Sequence, residues 1–285
     1  MRRSTLGSAL LLAPGLVILL GLLVLPITLM AVESFRPYVP GRAGSGSGWT
    51  LANYTELANA AYAFYYWDTF RIGLIVSLLG IGFGAPIAWL AARTKRHGVR
   101  LFIFGLLIGL LFLSLIARLY AIQMAWGATG PMTWFGDLIG IPVRSPRYAE
   151  VQVIIGLLHF VLPLNALVLI GTFQNINPRL EDAAASLGAQ RWRVAWDVTL
   201  PLALPGLASA FSISLAMCVS NFVVPLILGR GVVLFTTNLM YTRFSDVANY
   251  PSGAAIGILM LLLAFAIIYL MSLLVRRWTY DEVAR

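Results

Sequence analysis

Asp182, Ala183, Ala184, Gly188, Arg191, Arg193 and Pro201 are the residues of this chain whose types and spacing could do work, and that work is mechanical, not covalent. They lie between Leu180 and Leu207, the one long polar interruption between apolar runs that also has internal order. Three residues separate Ala184 from Gly188; nine separate Gly188 from Val198, which opens Val198-x-Leu200-Pro201, and Pro205-Gly206 follows. The small side chains of Ala183, Ala184 and Ala185 let a helix backbone lie close to another surface. Gly188 takes a left-handed conformation at no steric cost and so turns one short helix into the next. Asp182, Arg191 and Arg193 supply charge that fixes register at the rim of a docked surface. Pro201 and Pro205 are expected to break the second helix before the next apolar run.

Covalent chemistry has no such constellation. The carboxylates are few and lie mostly in loops, and no nucleophile has a base at motif spacing. The one cysteine, Cys218, sits inside an apolar run, so neither an internal disulfide nor a cysteine metal cluster is available. Two histidines are too few for an expected metal centre. Lys95 is the only lysine and lies in Arg93-Thr94-Lys95-Arg96, whereas a phosphate-binding loop needs Gly-Lys-Ser/Thr. ATP and Mg therefore belong on a partner chain, and no cofactor is expected here. The net charge of +9 is spread over residues flanking apolar segments, which excludes a nucleic-acid patch.

The elements that must carry the polar segment are membrane spans. With 60% hydrophobic and 11% charged residues, the chain is far from the composition of a soluble domain. Six apolar runs reach the ~20 residues needed to cross a bilayer: about 9–32, 68–92, 101–124, 151–173, 205–228 and 251–275. The expected fold is an all-α integral membrane protein, a single domain over 1–285. The segment 174–204 lies between the fourth and fifth spans. The first run is too long for a signal peptide and no Ala-x-Ala follows it, so it is read as a retained helix bent near Pro14 or Pro26. Gly41–Gly48 reads as a flexible connector, and Tyr62–Trp67 as an interfacial aromatic belt. Gly80, Gly82 and Gly84 in the second run favour close helix approach. Six spans put both termini on one side. Arg2, Arg3, Arg93, Lys95, Arg96, Arg100, Arg179, Arg191, Arg193, Arg276, Arg277 and Arg285 share that side, which the positive-inside rule makes cytoplasmic.

Polar groups inside a bundle face its interior or a watery cavity. Arg118, Tyr120, His159, Asn165, Ser220, Asn221 and Phe222 are the candidates for lining such a path. Snorkelling to the interface is the competing reading of Arg118, and packing that of His159.

Asp182-Ala183-Ala184, three residues, Gly188, nine residues, Val198-x-Leu200-Pro201 resembles the EAA loop of binding-protein-dependent ABC importer permeases. There the pattern is Glu-Ala-Ala, three residues, Gly, nine residues, Ile-x-Leu-Pro. Asp182 replaces the Glu and Val198 the Ile, and every spacing is kept. Arg118-x-Tyr120-Ala121 with Trp126 resembles the Arg-x-Tyr-Ala-Trp segment of the polyamine-type branch, with an insertion before the Trp. Ser220 to Gly229 resembles its Gly-Asp-Phe-Val-x-Pro-x-x-Leu-Gly segment, with Asn221 in place of Asp. That exchange removes a carboxylate able to attract a cation, and it weakens the polyamine expectation without touching the transporter one.

The resemblance covers nearly the whole chain and implies the partners. They are a second, similar permease subunit in a heterodimer, a dimer of ATPase subunits, and a periplasmic or lipid-anchored binding protein. The site implied is a bacterial inner membrane with its lipid. The ATPase is expected to grip the segment through Glu181 to Ala185, Gly188, Arg191, Arg193, Leu200 and Pro201. The solute expected is spermidine, putrescine or a related amine; related branches carry aminoethylphosphonate, ferric iron, sulfate or molybdate, or thiamine. A stand-alone secondary transporter or channel would instead show inverted repeats and ionisable groups deep in the spans, and a membrane enzyme would show a metal or nucleophile set.

Overall fold

The computed structural model describes residues 2–41, 45–127, 129–138 and 140–283. Residues 42–44 of the expected connector and Arg285 lie outside them, and so do the side chains of Arg2, Arg3, Arg276 and Arg277. The chain divides into two compact units, residues 1–64 with 239–262 and residues 65–238 with 263–285.

Helices make up almost all of it. The described helices long and apolar enough to cross a membrane number five, or six if one bent pair is a single span. The chain is thus an all-α integral membrane protein. In the first unit, α1 (Arg2–Ser34) runs unbroken through Pro14 and Pro26. Its residues from 13 to 25 are exposed, the pattern of a helix that faces lipid or another subunit. Its end is fastened to α2 (Ala52–Leu57): Asn53 Nδ2 donates to the carbonyls of Ser34 and Arg36 at 2.8 and 2.9 Å. At the other sequence end of this unit, Arg243 meets Glu56 at 2.6 Å and Tyr62 beside it.

The second unit holds the core. The helices α3 (Ala60–Arg93), α4 (His97–Phe112), α5 (Leu115–Trp126) and α7 (Pro146–Asn175), with the short α6 (Thr133–Leu138) before α7, precede the polar segment. Ser145 caps α7 by accepting from the Tyr148 N–H, and Pro146 sits in the first turn, where its missing donor is no loss. Gly80 and Gly84 of α3 face α7. A Cβ on Gly80 would stand 2.7 Å from Val161 Cγ1, and one on Gly84 3.2 Å from the Ala166 nitrogen, whereas Gly82 faces open space. Two of the three expected small residues therefore serve helix approach.

After the polar segment come α10 (Leu200–Val219), α11 (Val223–Leu228), α12 (Thr236–Tyr241) and α13 (Tyr250–Val283). One apolar cluster joins Ile72, Leu119, Leu157, Cys218 and Phe235; another joins Ala88, Leu107, Leu169, Phe173 and Ala210. These two layers hold α3, α4, α5, α7 and α10 in fixed relation.

Three expectations are corrected. The third run, expected as one helix over 101–124, is two helices bent by 95°. Leu113 and Ser114 adopt extended ψ values of 137° and 126° at the break. The fifth run, expected over 205–228, starts earlier and stops sooner: Arg191–Val219 is one continuous helical span. Pro201 and Pro205 do not break it. Residues Ala195–Thr199 form a π-helical turn in which the Leu200 N–H reaches back to the Ala195 carbonyl. Pro201 then stands in the first turn of α10. A widened turn adds a residue and relieves the clash a proline ring makes with the carbonyl four residues back. The stretch left between the fifth and sixth expected spans, 229–250, is not a plain connection: it contains α12 and a second π turn at Thr242–Asp246.

Candidate coupling segment and solute path

The polar segment folds as α8 (Pro178–Ser186), a turn, and α9 (Arg191–Val194) leading into the π turn. Asn177 Oδ1 accepts from the Arg179 N–H at 3.1 Å and caps α8, with Pro178 in the first turn. The far end closes with paired bonds from Gly188 N to Ala185 O at 3.0 Å and from Ala189 N to Ala184 O at 3.2 Å. That pairing is the Schellman arrangement, and it requires the left-handed residue Gly188 supplies at φ +86°. A Cβ there would meet nothing within 4 Å, so the constraint inside this chain is backbone conformation, not bulk.

No residue of α8 is buried. Asp182, Ala183 and Ala185 are exposed, and so are Arg191 and Arg193. Leu187 is 90% exposed, Trp196 65% and Trp192 57%, so an apolar face stands open beside the alanines. The Arg193 guanidinium lies 5.3 Å from the centre of the Trp192 ring. Leu200 and Pro201 are half-buried at the base of α10.

Glu181 points the other way. It receives Arg93 Nη2 at 2.8 Å on Oε1 and Arg93 Nε at 3.0 Å on Oε2, a two-pronged pair. Thr199 Oγ1 donates to the same Oε1 at 3.0 Å, and Arg93 Nη2 also reaches the Ile176 carbonyl at 3.1 Å. The two charged side chains are only 14% and 13% exposed. One carboxylate thus ties α8 to the end of α3 and to the π turn. Arg93 and Thr199 were not among the sequence-predicted site residues. No local signal links positions 88 residues apart, and Arg93 reads simply as one of several basic loop residues.

The break between α4 and α5 builds a second polar place. Arg118 is 7% exposed, and its Nη2 donates to the Leu113 carbonyl at 2.6 Å, filling a bond the broken helix leaves open. Its Nε and Nη1 have no hydrogen-bond partner among the described residues, nor has Nδ1 of His159. Both residues line a cavity of about 430 Å³ with Ser114, Ala117, Ala121 and Trp126. Of the predicted path residues, the fold brings these two together. Tyr120 is 54% exposed and outside the cavity. Asn165 is fully buried against the Gly80 notch, at the α3–α7 contact. Asn221 Oδ1 accepts from the Val224 N–H at 2.9 Å and starts α11. Ser220 Oγ turns back to the Ala216 carbonyl, and the Phe222 carbonyl accepts from Asn238. Gln152, missed in the sequence, is buried and donates to the Trp126 carbonyl at 2.6 Å, fixing one wall of the cavity.

Comparison with known proteins agrees with this architecture. The family model described as "Binding-protein-dependent transport system inner membrane component" matches residues 7–280. The spermidine/putrescine transport system permease protein PotB of Haemophilus influenzae is 30% identical over 223 residues, which cover 76% of this chain and 77% of that one. The inner membrane ABC transporter permease protein YdcU of Escherichia coli is 24% identical, over 75% of this chain and 72% of its own. Among solved structures, a chain of a bacterial alginate ABC transporter, determined with an alginate pentasaccharide-bound periplasmic protein, superposes with a TM-score of 0.75. It covers 98% of this chain and 96% of its own at 19% identity, and so shares the fold. The chain belongs to the binding-protein-dependent transport system inner membrane component family, and is a multi-pass inner-membrane permease subunit of an ABC transporter.

Proposed function

We propose that this permease subunit forms half of an import path and is driven through α8. In this reading both termini and residues 174–204 lie in the cytoplasm, where a dimer of ATPase subunits grips the open face of Ala183, Ala185, Leu187 and Trp192. A second, similar permease subunit completes a heterodimer, and an external binding protein delivers the solute. ATP and Mg are bound by the partner alone. The observation that carries the reading is the direction of the side chains in α8. Glu181 is consumed inside the chain, while Asp182, Ala183, Ala185 and the two tryptophans stay open. A short helix held at its base and bare on its outer face transmits rigid-body motion.

The test is capture. The lone cysteine, Cys218, is fully buried, so cysteines placed at Ala184 or Ala185 report with little background. Cross-linking to a nucleotide-hydrolysing subunit is the expected result; labelling of these sites from outside the cell would overturn it.

For the solute, the relatives named for spermidine and putrescine support a small polyamine. A second reading has its own observation. Arg118 places a buried positive charge beside the cavity, and Asn221 stands where the polyamine pattern has a carboxylate. Both favour a branch that carries a solute with an oxyanion group.

A further inference from the structure

We infer that the cavity at the α4–α5 break is a binding site for the carboxylate or other oxyanion group of a small solute, with Arg118 as its principal ligand. The inference rests on the permease reading and names the chemistry its path recognises. A guanidinium stays protonated under all ordinary conditions, so Arg118 is a permanent charge. Only 7% of the residue is exposed, and its hydrogen-bond partner among the described residues is the neutral Leu113 carbonyl. Among the described residues no carboxylate pairs with it. The other arginine held inside the second unit's bundle end, Arg93, has a two-pronged carboxylate of its own.

A buried cation without a counter-charge is costly, and an anion that reaches it recovers that cost. Arg118 Nε and Nη1 each hold a donor that nothing described accepts. Both belong to a residue lining the cavity, and the Leu113 bond restrains the guanidinium there. His159, on α7, adds a ring nitrogen with no described partner from the opposite helix. Trp126 and Ile122 supply apolar wall, suited to a short carbon chain. The space of about 430 Å³ holds a solute of a few heavy atoms with water to spare. An ammonium group finds no carboxylate among the residues lining the cavity and is repelled by Arg118.

Two probes of equal chain length decide the matter: 4-aminobutyrate and putrescine differ at one end, carboxylate against ammonium. The full chain is titrated with each by calorimetry in lipid nanodiscs, without an external binding protein. The expected result is saturable binding of 4-aminobutyrate, about ten-fold or more tighter than putrescine. Arg118→Gln should weaken it by about ten-fold and Arg118→Lys by less, since lysine keeps the charge and loses the fork. Absence of saturable 4-aminobutyrate binding, putrescine binding as tightly, or full affinity in Arg118→Gln would each overturn the inference. If Arg118→Gln fails to fold, Arg118→Lys and the wild-type probe pair still decide. Recruitment of a nucleotide-hydrolysing subunit is scored separately on the same chain, so the permease reading and the cavity reading fail independently.

Discussion

At Glu181 both carboxylate oxygens receive donors, from Arg93 and Thr199. At Arg118 one nitrogen has a carbonyl and two have nothing described. Both places are polar breaks in an apolar chain, both are shielded from solvent, and each follows an interrupted helix. Their difference separates a joint from a binding place. A charge that is matched within the chain holds helices together, because removing any partner strands the rest. A charge left unmatched costs the fold free energy and keeps its attraction for something that arrives later.

The contrast can be broken at four positions, Glu181, Gly188, Thr199 and Arg118, taken from the largest expected effect downward, with Asp182 as a control for the first. Glu181→Ala strands Arg93 in a site 14% exposed; it should cost about 3 kcal/mol of stability, read by thermal unfolding in detergent. Asp182→Ala, one residue on, should stay within about 0.5 kcal/mol in that measurement because Asp182 is exposed. If the two behaved alike, Glu181 would not be the joint.

Gly188→Ala forces a side chain to φ +86° with no new contact in this chain. It should cost about 1 kcal/mol. Gly188→Asp has no greater backbone strain, since aspartate tolerates the left-handed region better than alanine, so any further loss must come from a docked surface. Its expected signature is transport lost while ATPase activity persists in the reconstituted complex. Equal transport in the two variants would mean that nothing docks against the turn.

Thr199→Val removes one hydrogen bond to Glu181 and leaves the Arg93 pair in place. A loss of about 1 kcal/mol is expected. Made on top of Glu181→Ala, the same substitution should cost much less, because its partner is already gone.

Arg118→Gln should be the smallest of the four in stability, within about 0.5 kcal/mol, since the loss of the bond to the Leu113 carbonyl is offset by removal of an unmatched buried charge. A stability loss as large as that of Glu181→Ala would make Arg118 a second joint and remove the ground for a binding role.

The segment around Ala183 was legible because its signals are local. A run of alanines and a glycine at the far end act over a few residues, and Gly188 does in the fold what its type dictates. The Asn177 cap and first-turn Pro178 are equally local signals, though missed in the sequence. The apolar runs were legible for a related reason: a bilayer demands length and composition, and both are read along the chain. The path residues were less so. Arg118, His159, Asn165 and Asn221 look alike as polar residues within apolar runs. Only the helix contacts divide them into two that line a cavity, one that fills a glycine notch and one that starts a helix.

Proline was misread for a physical reason. Pro201 and Pro205 forbid a bond or two locally, and a break is the simplest answer, but a π turn at Ala195–Thr199 accommodates Pro201, Pro205 is carried inside α10, and the helix runs on. At Leu113–Ser114 the opposite holds: nothing in the run from Leu101 to Met124 disfavours a helix strongly, and yet the chain bends by 95°.

The amino-acid order by itself determined that this chain crosses a membrane, which stretches are apolar enough to do so, and that a polar segment turning at Gly188 interrupts them. These follow from solvation and from steric rules that act within one turn. Only the tertiary structure decided that Glu181 faces inward while Asp182 faces out, and that Arg118 meets His159 across a cavity. Those outcomes depend on which helices pack against which, and pairs 88 residues apart leave no mark on either neighbourhood in the sequence.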